Sequence, residues 1–354
     1  MNGITVLLPG SPETPTGGFV YDRHLVRALR RAELLAGVIL IPGAWPNPAA
    51  ATIATAAGWI ARLPDGAVLL VDGLAFSPLL EVLEAERGRL RLIALVHHPL
   101  ADERGPGGPD YDPLFDRESR ALALAQGVLV TSATTACRLS DFAVPKSKIR
   151  VVRPGVASRS VLARAGAARA MRVRHRLSAP PTLLCVASLT PRKGQDVLLR
   201  ALAGLRRLRW RLRLVGSERD PVFSRRVRRL TYALHLADRI VFVGPLSPAR
   251  LAREYDAADL FVLPSHHEGF GMVVAEAAAH GLPIIASDAG ALPEAAEGSR
   301  HRLVSPGEPP VLAHALRSFL TSGRVGIRQS CPRPRSWEDA GREWIAAIEA
   351  FGIE

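Results

Sequence analysis

The chain has 354 residues, 48% of them hydrophobic and 22% charged, which is typical of a globular protein with about two domains. No apolar run approaches the roughly 18 residues of a membrane helix, so the sequence predicts no spanning segment. The three cysteines are scattered and never form a C-x-x-C pair, which argues against a disulfide framework or a structural zinc site.

The net charge of +13 raises the question of an anionic partner. Only three of the 46 basic residues are lysine, and such a preference for arginine is also typical of a GC-rich genome. Two segments concentrate the charge, LRRLRWRLRLVG at 205–216 and SRRVRRL at 224–230. Because no nucleic-acid motif or aromatic platform accompanies them, a functional basic surface would face an anionic membrane rather than nucleic acid.

We expect a cytoplasmic protein, peripheral at the inner face of the membrane at most, because the first residues lack the features of a signal peptide.

The first half alternates short apolar runs with segments of helical periodicity. The runs predict strands at 4–10, 66–73, 90–98, 127–132 and 149–156, and residues 19–35 carry the apolar spacing of a helix. Uniformly apolar strands are typical of a parallel sheet that is buried on both faces. The alternation therefore predicts a doubly wound α/β domain.

The rhythm breaks at 157–181, a basic and alanine-rich segment that ends in two prolines. A second series of apolar runs follows, at 182–188, 211–217, 239–246, 259–265, 282–288 and 301–307. The last stretch, 336–351, has the pattern of a capped amphipathic helix. The sequence thus predicts a first domain at 1–157, a linker at 158–180, a second domain at 181–335 and a closing helix at 336–354.

Open α/β sheets bind ligands beyond the carboxyl ends of their strands, so the residues after each strand are candidates for a site. In the first half, Gly17 and Gly18 precede a helix, where adjacent glycines let a ligand approach the helix amides. Their spacing is not G-x-G-x-x-G, which argues against a nicotinamide site. His97 and His98 end another strand, and because neighbouring side chains point in opposite directions, we expect only one to face a ligand. No ligand spacing around them predicts a metal.

In the second half, Arg192 and Lys193 lie in a loop between a strand and a helix. Two cations there suit a phosphorylated ligand. A lysine in so arginine-rich a chain suggests selection for a compact point charge.

The segment SHHEGFGMVVAEAAAHG at 265–281 places Glu268 beside a Gly-Phe-Gly turn. We expect the following helix to begin near Met272, with the amides of the turn at its N-terminus. Glu276 would then lie about one turn into that helix. A carboxylate that accepts hydrogen bonds from two vicinal hydroxyls fits ribose or a pyranose.

The Glu-x₇-Glu spacing within EGFGMVVAEAAAHGLPIIAS resembles the signature of family 4 of the retaining glycosyltransferases, which have the GT-B fold. Other segments match that family in order: GGF, VRPGV, ASLTPRKGQDVLLRAL, LRLVGS, RIVFVGPLS, AADLFVLPS, DAGALPE, LVSPGE and SWEDAGREW. The resemblance covers most of the chain. It implies two Rossmann-like domains whose parallel sheets face a central cleft, and a final helix that crosses back to the first domain.

The resemblance implies that a sugar moves from a nucleoside diphosphate sugar to an acceptor, with retention at the anomeric carbon. Glu276 would bind the ribose hydroxyls and Glu268 those of the donor sugar, so that the two carboxylates have separable roles. Lys193 and Arg192 would neutralise the leaving diphosphate, and His97 matches a histidine near the donor sugar, with His98 left open. The other donor-binding positions are Gly17, Gly18, Gly269, Phe270 and Gly271. Because these cations and amides would stabilise the leaving charge, we expect neither a metal nor a cofactor.

One position departs from the family, since Ala187-Ser188 stands where Gly-Arg is usual. A phosphate-binding cation is therefore missing, and Arg192 is the candidate replacement.

Two rival functions stay open. Another GT-B enzyme, such as a sugar phosphorylase or a nucleotide-sugar epimerase, would share the architecture. A non-catalytic protein that binds nucleic acid or membranes through its arginines would show steep salt dependence.

Overall fold

The computed structural model describes residues 3–10, 16–103, 110–156, 179–322 and 335–352. It divides into two compact units: unit 1 is Met1–Gly155 with Trp337–Glu354, and unit 2 is Val156–Ser336. The linker predicted at 158–180 lies almost wholly outside the described residues. Each unit is built around its own parallel sheet and hydrophobic core.

Unit 1 contains a six-stranded sheet in the order β2-β1-β3-β4-β5-β6, with every neighbouring pair parallel. Its strands are β1 (Ile4–Pro9), β2 (Leu35–Ile41), β3 (Val68–Asp72), β4 (Arg91–Val96), β5 (Gly127–Val130) and β6 (Ile149–Val151). The helices that precede unit 2 in the chain are α1 (Gly17–Arg31), α2 (Ala50–Ile60), α3 (Gly73–Phe76), α4 (Leu80–Glu86), α5 (Tyr111–Leu124) and α6 (Ala133–Arg138). Every residue of β1, β3 and β5 is buried, as the uniformly apolar runs predicted.

The edge strand β2 was not predicted, because Leu34 and Leu35 continue the helical spacing and hide the end of the helix. In the structure α1 ends at Arg31, four residues earlier than predicted. Glu33 then adopts a φ of 58° and turns the chain into β2. The side chains of β2 alternate between exposed and partly buried, as expected for an edge strand that is covered on one face.

Unit 2 contains a second six-stranded parallel sheet, in the order β12-β11-β10-β7-β8-β9. Its strands are β7 (Thr182–Val186), β8 (Arg211–Val215), β9 (Ile240–Gly244), β10 (Leu260–Leu263), β11 (Ile284–Ser287) and β12 (His301–Val304). Its helices are α7 (Gln195–Ala203), α8 (Pro221–Ala233), α9 (Pro248–Ala257), α10 (Met272–Ala279), α11 (Leu292–Ala296) and α12 (Pro309–Ser322). None of the helices in the described parts of the chain is long and apolar enough to cross a membrane.

The last helix, α13 (Trp337–Glu349), packs in unit 1 although it follows unit 2 in the chain. Trp344 is fully buried and donates a hydrogen bond from Nε1 to the hydroxyl of Tyr21 on α1, at 2.6 Å. That hydroxyl in turn donates to the carbonyl of Val152, at 2.8 Å. A Cβ at Gly341 would lie 3.4 Å from the side chain of Ala28, so α13 lies directly against α1 at this position. The end of the chain thus completes the core of unit 1.

Replacing Trp344 by alanine tests how much α13 stabilises the protein. The change empties a fully buried site and leaves the Tyr21 hydroxyl without its donor, so we expect the free energy of unfolding to fall by about 3–5 kcal/mol. Urea denaturation followed by circular dichroism measures this loss. Trp59→Ala is the matched control, because Trp59 is 49% exposed and its removal should cost far less. Equal losses in the two variants would contradict the structural role of α13.

Candidate active site

Unit 2 brings Glu268 together with the two cations that the sequence singled out. Lys193 Nζ lies 2.5 Å from Oε1 of Glu268, and Arg192 lies 3.5 Å from Oε2. Arg192 also donates to the carbonyl of His267, at 2.7 Å, and Ser265 donates from Oγ to Oε1 of Glu268, at 2.8 Å. Glu268 is 7% exposed, so these contacts replace the water that a carboxylate would otherwise bind.

The loops that carry these residues meet because β7 and β10 are neighbouring strands. Pro191–Lys193 forms a short 3₁₀ turn after β7, and Gly194 ends it with a φ of 66°. A Cβ at Gly194 would lie 2.2 Å from the carbonyl oxygen of Pro264 in the loop after β10. Only glycine fits this contact and this backbone conformation, so Gly194 fixes the distance between the cations and Glu268.

The surroundings of Glu268 set its ionisation. Burial alone would raise its pKa, but the charges of Lys193 and Arg192 and the hydrogen bonds of Lys193 and Ser265 outweigh it and lower the pKa to about 2. Burial also lowers the pKa of Lys193, against the opposing effect of Glu268. We conclude that Glu268 is a carboxylate at neutral pH and that its charge is matched by its two basic neighbours.

The Gly-Phe-Gly turn leads into α10, which begins at Met272 as the sequence predicted. Gly271 has a φ of 85°, and Phe270 packs partly buried against the core of unit 2. The carbonyl of Glu268 accepts a hydrogen bond from the amide of Ala291, at 2.9 Å, which ties the turn to the start of α11. The turn is therefore held from both sides, and it leaves Gly269 and Phe270 close to the N-terminus of α10.

Glu276 lies in α10 in a different environment. The Tyr255 hydroxyl donates to its Oε2 at 2.8 Å, and the ring of Tyr255 stacks on His280 with centroids 5.0 Å apart. Burial raises the pKa of Glu276 to about 7, although the hydrogen bond from Tyr255 lowers it. Tyr255 was missed by the sequence reasoning, and its place in the helix before β10 carries no signal by itself. Two carboxylates eight positions apart thus differ in charge state near neutral pH.

In unit 1, the glycine pair lies beside one of the two predicted histidines. Gly17 and Gly18 are the first residues of α1, and a Cβ at Gly18 would lie 3.4 Å from the ring of His97. His98 instead pairs with Glu103, with its Nε2 at 2.9 Å from the carboxylate. Gly18 therefore lies directly against the ring of His97, which sets His97 apart from its neighbour.

His97 is in contact with two buried carboxylates that the sequence reasoning missed. Its Nε2 lies 3.1 Å from Oδ1 of Asp22 on α1 and 3.3 Å from Oδ2 of Asp72 at the end of β3. Asp72 could have been found, because it is the polar residue that ends an apolar strand, whereas Asp22 lies inside a helix. Three such groups within 4.8 Å of one another are also close enough for metal ligands, but a proton on Nε2 accounts for both contacts. That the site needs no metal stays a prediction.

Residues 180–322 match the family model for glycosyl transferases group 1. A GDP-mannose-dependent alpha-(1-6)-phosphatidylinositol monomannoside mannosyltransferase of Mycobacterium tuberculosis is 30% identical over 228 residues, which are 62% of this chain and 57% of that protein. An MMP alpha-(1->4)-mannosyltransferase of Mycolicibacterium hassiacum is 31% identical over 280 residues, which are 73% of this chain and 65% of that protein. The chain spans less than two thirds of the length of these curated relatives.

The solved structure of HepE from Anabaena in complex with UDP and glucose aligns with a TM-score of 0.73. The alignment covers 99% of this chain and 100% of that chain, at 18% sequence identity. At such low identity the likeness speaks for the fold alone. Together with the two parallel six-stranded sheets, it confirms the GT-B fold that the sequence resemblance implied.

A double-mutant cycle on Glu268 and Lys193 measures the energy of the buried pair. Glu268→Gln leaves Lys193 without its counter-charge, so we expect a loss of about 3–5 kcal/mol in the free energy of unfolding. Lys193→Met leaves the buried Glu268 with Arg192 alone, so we expect a smaller loss. The double variant should lose clearly less than the sum of the two. The same cycle on Arg228 and Glu218, a pair about half exposed, is the control and should show a coupling below about 1 kcal/mol.

The pH dependence gives this prediction a second readout. Because the folded pKa of Glu268 is lowered to about 2, its contribution is present above the ordinary value of 4.5 and is lost as the pH falls toward 2. Glu268→Gln should therefore lose less stability than the parent over that acid range. Additive single losses together with an unchanged acid profile would contradict the ion pair.

Proposed function

We propose that this chain transfers a sugar from a nucleoside diphosphate sugar to an acceptor hydroxyl, a proposal supported by the match of residues 180–322 to the family model for glycosyl transferases group 1. The observation that carries the proposal is the cluster of Glu268, Lys193 and Arg192 beside the glycine turn at the start of α10. Two cations held in place beside the N-terminus of α10 suit a leaving diphosphate, because they meet charge that develops as the bond to the sugar breaks.

The two carboxylates take different parts of the donor in this proposal. Glu276, oriented by Tyr255, would accept hydrogen bonds from the ribose hydroxyls. Glu268 would accept hydrogen bonds from the sugar hydroxyls while it holds Lys193 and Arg192 toward the diphosphate. Since Glu268 contacts both cations, its removal should disturb diphosphate binding as well as sugar transfer, and the roles of the two carboxylates are less separable than their spacing suggested.

We extend the proposal to retention at the anomeric carbon, with no metal and no cofactor. In this route the leaving phosphate, neutralised by Lys193 and Arg192, helps to deprotonate the acceptor on the same face of the sugar. The position of Arg192 supports a route without a metal, because its guanidinium lies in the same cluster as Lys193 and can replace the cation that is absent at Ser188. The anomeric configuration of the product, read by NMR, and transfer in the presence of a chelator test these two points.

The relatives narrow the substrates to be tried. Two are named as mannosyltransferases, one of them dependent on GDP-mannose, and another relative, from Acidothermus cellulolyticus, is named D-inositol 3-phosphate glycosyltransferase. We propose a hexose donor on GDP or UDP and a polyol acceptor. A thermal-shift screen of nucleoside diphosphates identifies the base, since a ligand that binds only the folded state raises the unfolding temperature.

Glu276→Gln tests the donor site directly. Loss of a charged acceptor should weaken binding of the matching nucleoside diphosphate roughly ten- to a hundred-fold, as measured by calorimetric titration. The pKa of about 7 adds a pH dependence, because only the carboxylate binds ribose well. For the parent, we expect affinity to rise roughly ten-fold between pH 6 and pH 8, as the competent fraction grows.

The variant also serves as the control for the ligand's own titration. Any pH dependence that remains in Glu276→Gln belongs to the phosphate and is subtracted from that of the parent. Glu308→Gln removes an exposed carboxylate from the same unit and should bind like the parent. Parent-like affinity and pH dependence in Glu276→Gln would refute the ribose role, and the absence of any nucleotide binding by the parent would refute the function.

We also propose that the protein docks on an anionic membrane without inserting. Arg225 and Arg229 lie exposed on α8, next to Val222 and Tyr232, which are 67% and 71% exposed. Basic and apolar side chains on one helix face suit lipid headgroups. Flotation with anionic vesicles should recover the protein at low salt and lose it at high salt, and Arg225→Gln/Arg229→Gln should weaken recovery. Equal binding to neutral vesicles, or none to either, would contradict the proposal.

A further inference from the structure

A cluster in unit 1 joins two buried carboxylates to one accessible imidazole. The side chains of Asp22 and Asp72 are 1% and 2% exposed, whereas that of His97 is 17% exposed. They come from α1, the end of β3 and the residue after β4, so the cluster lies at the carboxyl edge of the sheet, where α/β folds bind ligands. Of the three, only His97 has a surface that a ligand can touch. Any effect of the two acids on a ligand must therefore act through its ring.

Both carboxylates meet the same ring nitrogen. Nε2 of His97 lies 3.1 Å from Asp22 and 3.3 Å from Asp72. The second oxygen of Asp72 accepts the amide of Leu74 at 2.7 Å, which fixes that carboxylate in place. A neutral ring between two ionised acids would leave two like charges within 4.8 Å in a buried site, whereas a protonated ring offsets them. The arrangement favours the cationic ring.

The other ring nitrogen of His97, Nδ1, takes no part in these contacts. Among the described residues, no hydrogen-bond partner contacts Nδ1 of His97. The ring lies against Gly18, where a Cβ would be 3.4 Å away, and meets the ring of Tyr21 in an edge arrangement, with centroids 5.3 Å apart. The Tyr21 hydroxyl is already engaged with Val152 and Trp344, so it does not compete for the imidazole. In an imidazolium both nitrogens are donors, and Nδ1 is then a charged N–H in a fixed position.

We propose that Asp22 and Asp72 are positioning residues that hold His97 as an imidazolium, with Nε2–H shared by the carboxylates and Nδ1–H presented to an anionic oxygen of a substrate. The choice of ligand rests on the proposed function, whereas the charge state of His97 does not. An imidazolium has no lone pair to accept a proton. His97 is thus a fixed cation rather than a general base toward the acceptor hydroxyl.

The electrostatics of the cluster agree with this geometry. Burial alone would lower the pKa of His97, but the charges and hydrogen bonds of Asp22 and Asp72 outweigh it and raise the pKa to about 10. Burial, and then the charge of Asp72, raise the pKa of Asp22 to about 7, against the effect of His97. The neighbouring His98 pairs with Glu103 instead, and the hydroxyl of Tyr21, whose ring edge meets His97, is engaged with Val152 and Trp344.

NMR of the imidazole rings in histidine-labelled protein tests the charge state without any substrate. The protein has ten histidines, and the missing signal in His97→Gln assigns the ring. We expect the parent ring to stay doubly protonated from pH 6 to pH 9. In Asp72→Asn, and separately in Asp22→Asn, loss of one charged partner should lower the proton affinity of His97 roughly ten- to a hundred-fold, so that the ring titrates within or just above that range.

Glu103→Gln is the matched control, since it removes a carboxylate from the adjacent histidine. It should move the titration of His98 and leave that of His97 unchanged. Two Asp variants are used because one of them could misfold, and thermal unfolding shows which of them has the native fold. A parent ring that titrates near 6.5, or a titration unchanged in both native Asp variants, would overturn the proposal. So would a ring signal that changes on adding Zn²⁺ and returns on adding a chelator, because a metal would then occupy the place of the proton.

The transfer assay adds a functional readout. Because His97 stays charged, its ring should cause no decrease of kcat with rising pH below pH 9 in the parent. Asp72→Asn should gain one at the new pKa of His97 measured by NMR. If the parent transfers no sugar from any donor, the proposed function fails while the NMR result still decides the charge state. If transfer is present and Asp72→Asn keeps the profile of the parent despite a lowered pKa, the role of the cation toward a substrate is refuted.

Discussion

The contact between Glu268 and Lys193 joins the loop after β7 to the loop after β10 and thereby assembles the candidate site of unit 2. A buried carboxylate is costly unless cations and donors replace its water, and here Lys193, Arg192 and Ser265 do so. Gly194 makes this possible, because any larger residue would collide with the carbonyl of Pro264. The two loops are thus held together by a steric constraint and by an electrostatic one, and neither depends on a ligand.

Two buried acids, Glu268 and Asp22, and the partly buried Glu276 show how surroundings rather than residue type decide charge. Glu268 lies between cations, and its pKa is lowered to about 2. Glu276 has only the Tyr255 hydroxyl to oppose burial, and its pKa is raised to about 7. Asp22 faces a second carboxylate as well as His97, and its pKa is also raised to about 7. A group near its midpoint at neutral pH responds to a ligand, whereas Glu268 keeps its charge and holds its neighbours in place.

Much of the fold was predictable because it depends on local patterns. Uniformly apolar runs indicated buried parallel strands, and the structure has them in both sheets. The start of α10 at Met272 followed from the Gly-Phe-Gly turn that precedes it. The edge strand β2 was missed, since Leu34 and Leu35 fit the helical spacing and a turn at Glu33 leaves no mark in that spacing. Periodicity finds elements of regular structure but places their ends poorly.

Some features of the candidate site were likewise predictable from the sequence, and others were not. Residue order alone was enough to indicate that Lys193, Glu268 and His97 follow strands and therefore lie at the carboxyl ends of parallel sheets. The ion pair of Lys193 with Glu268, the hydrogen bond of Tyr255 to Glu276, and the carboxylates around His97 were decided only by the tertiary structure. Asp22 and His97 are 75 positions apart, as are Lys193 and Glu268, and their contact depends on which strands are neighbours and how helices pack on them. The spacing of residues in the chain does not predict these distances, because each depends on the strand order and helix packing within its own unit.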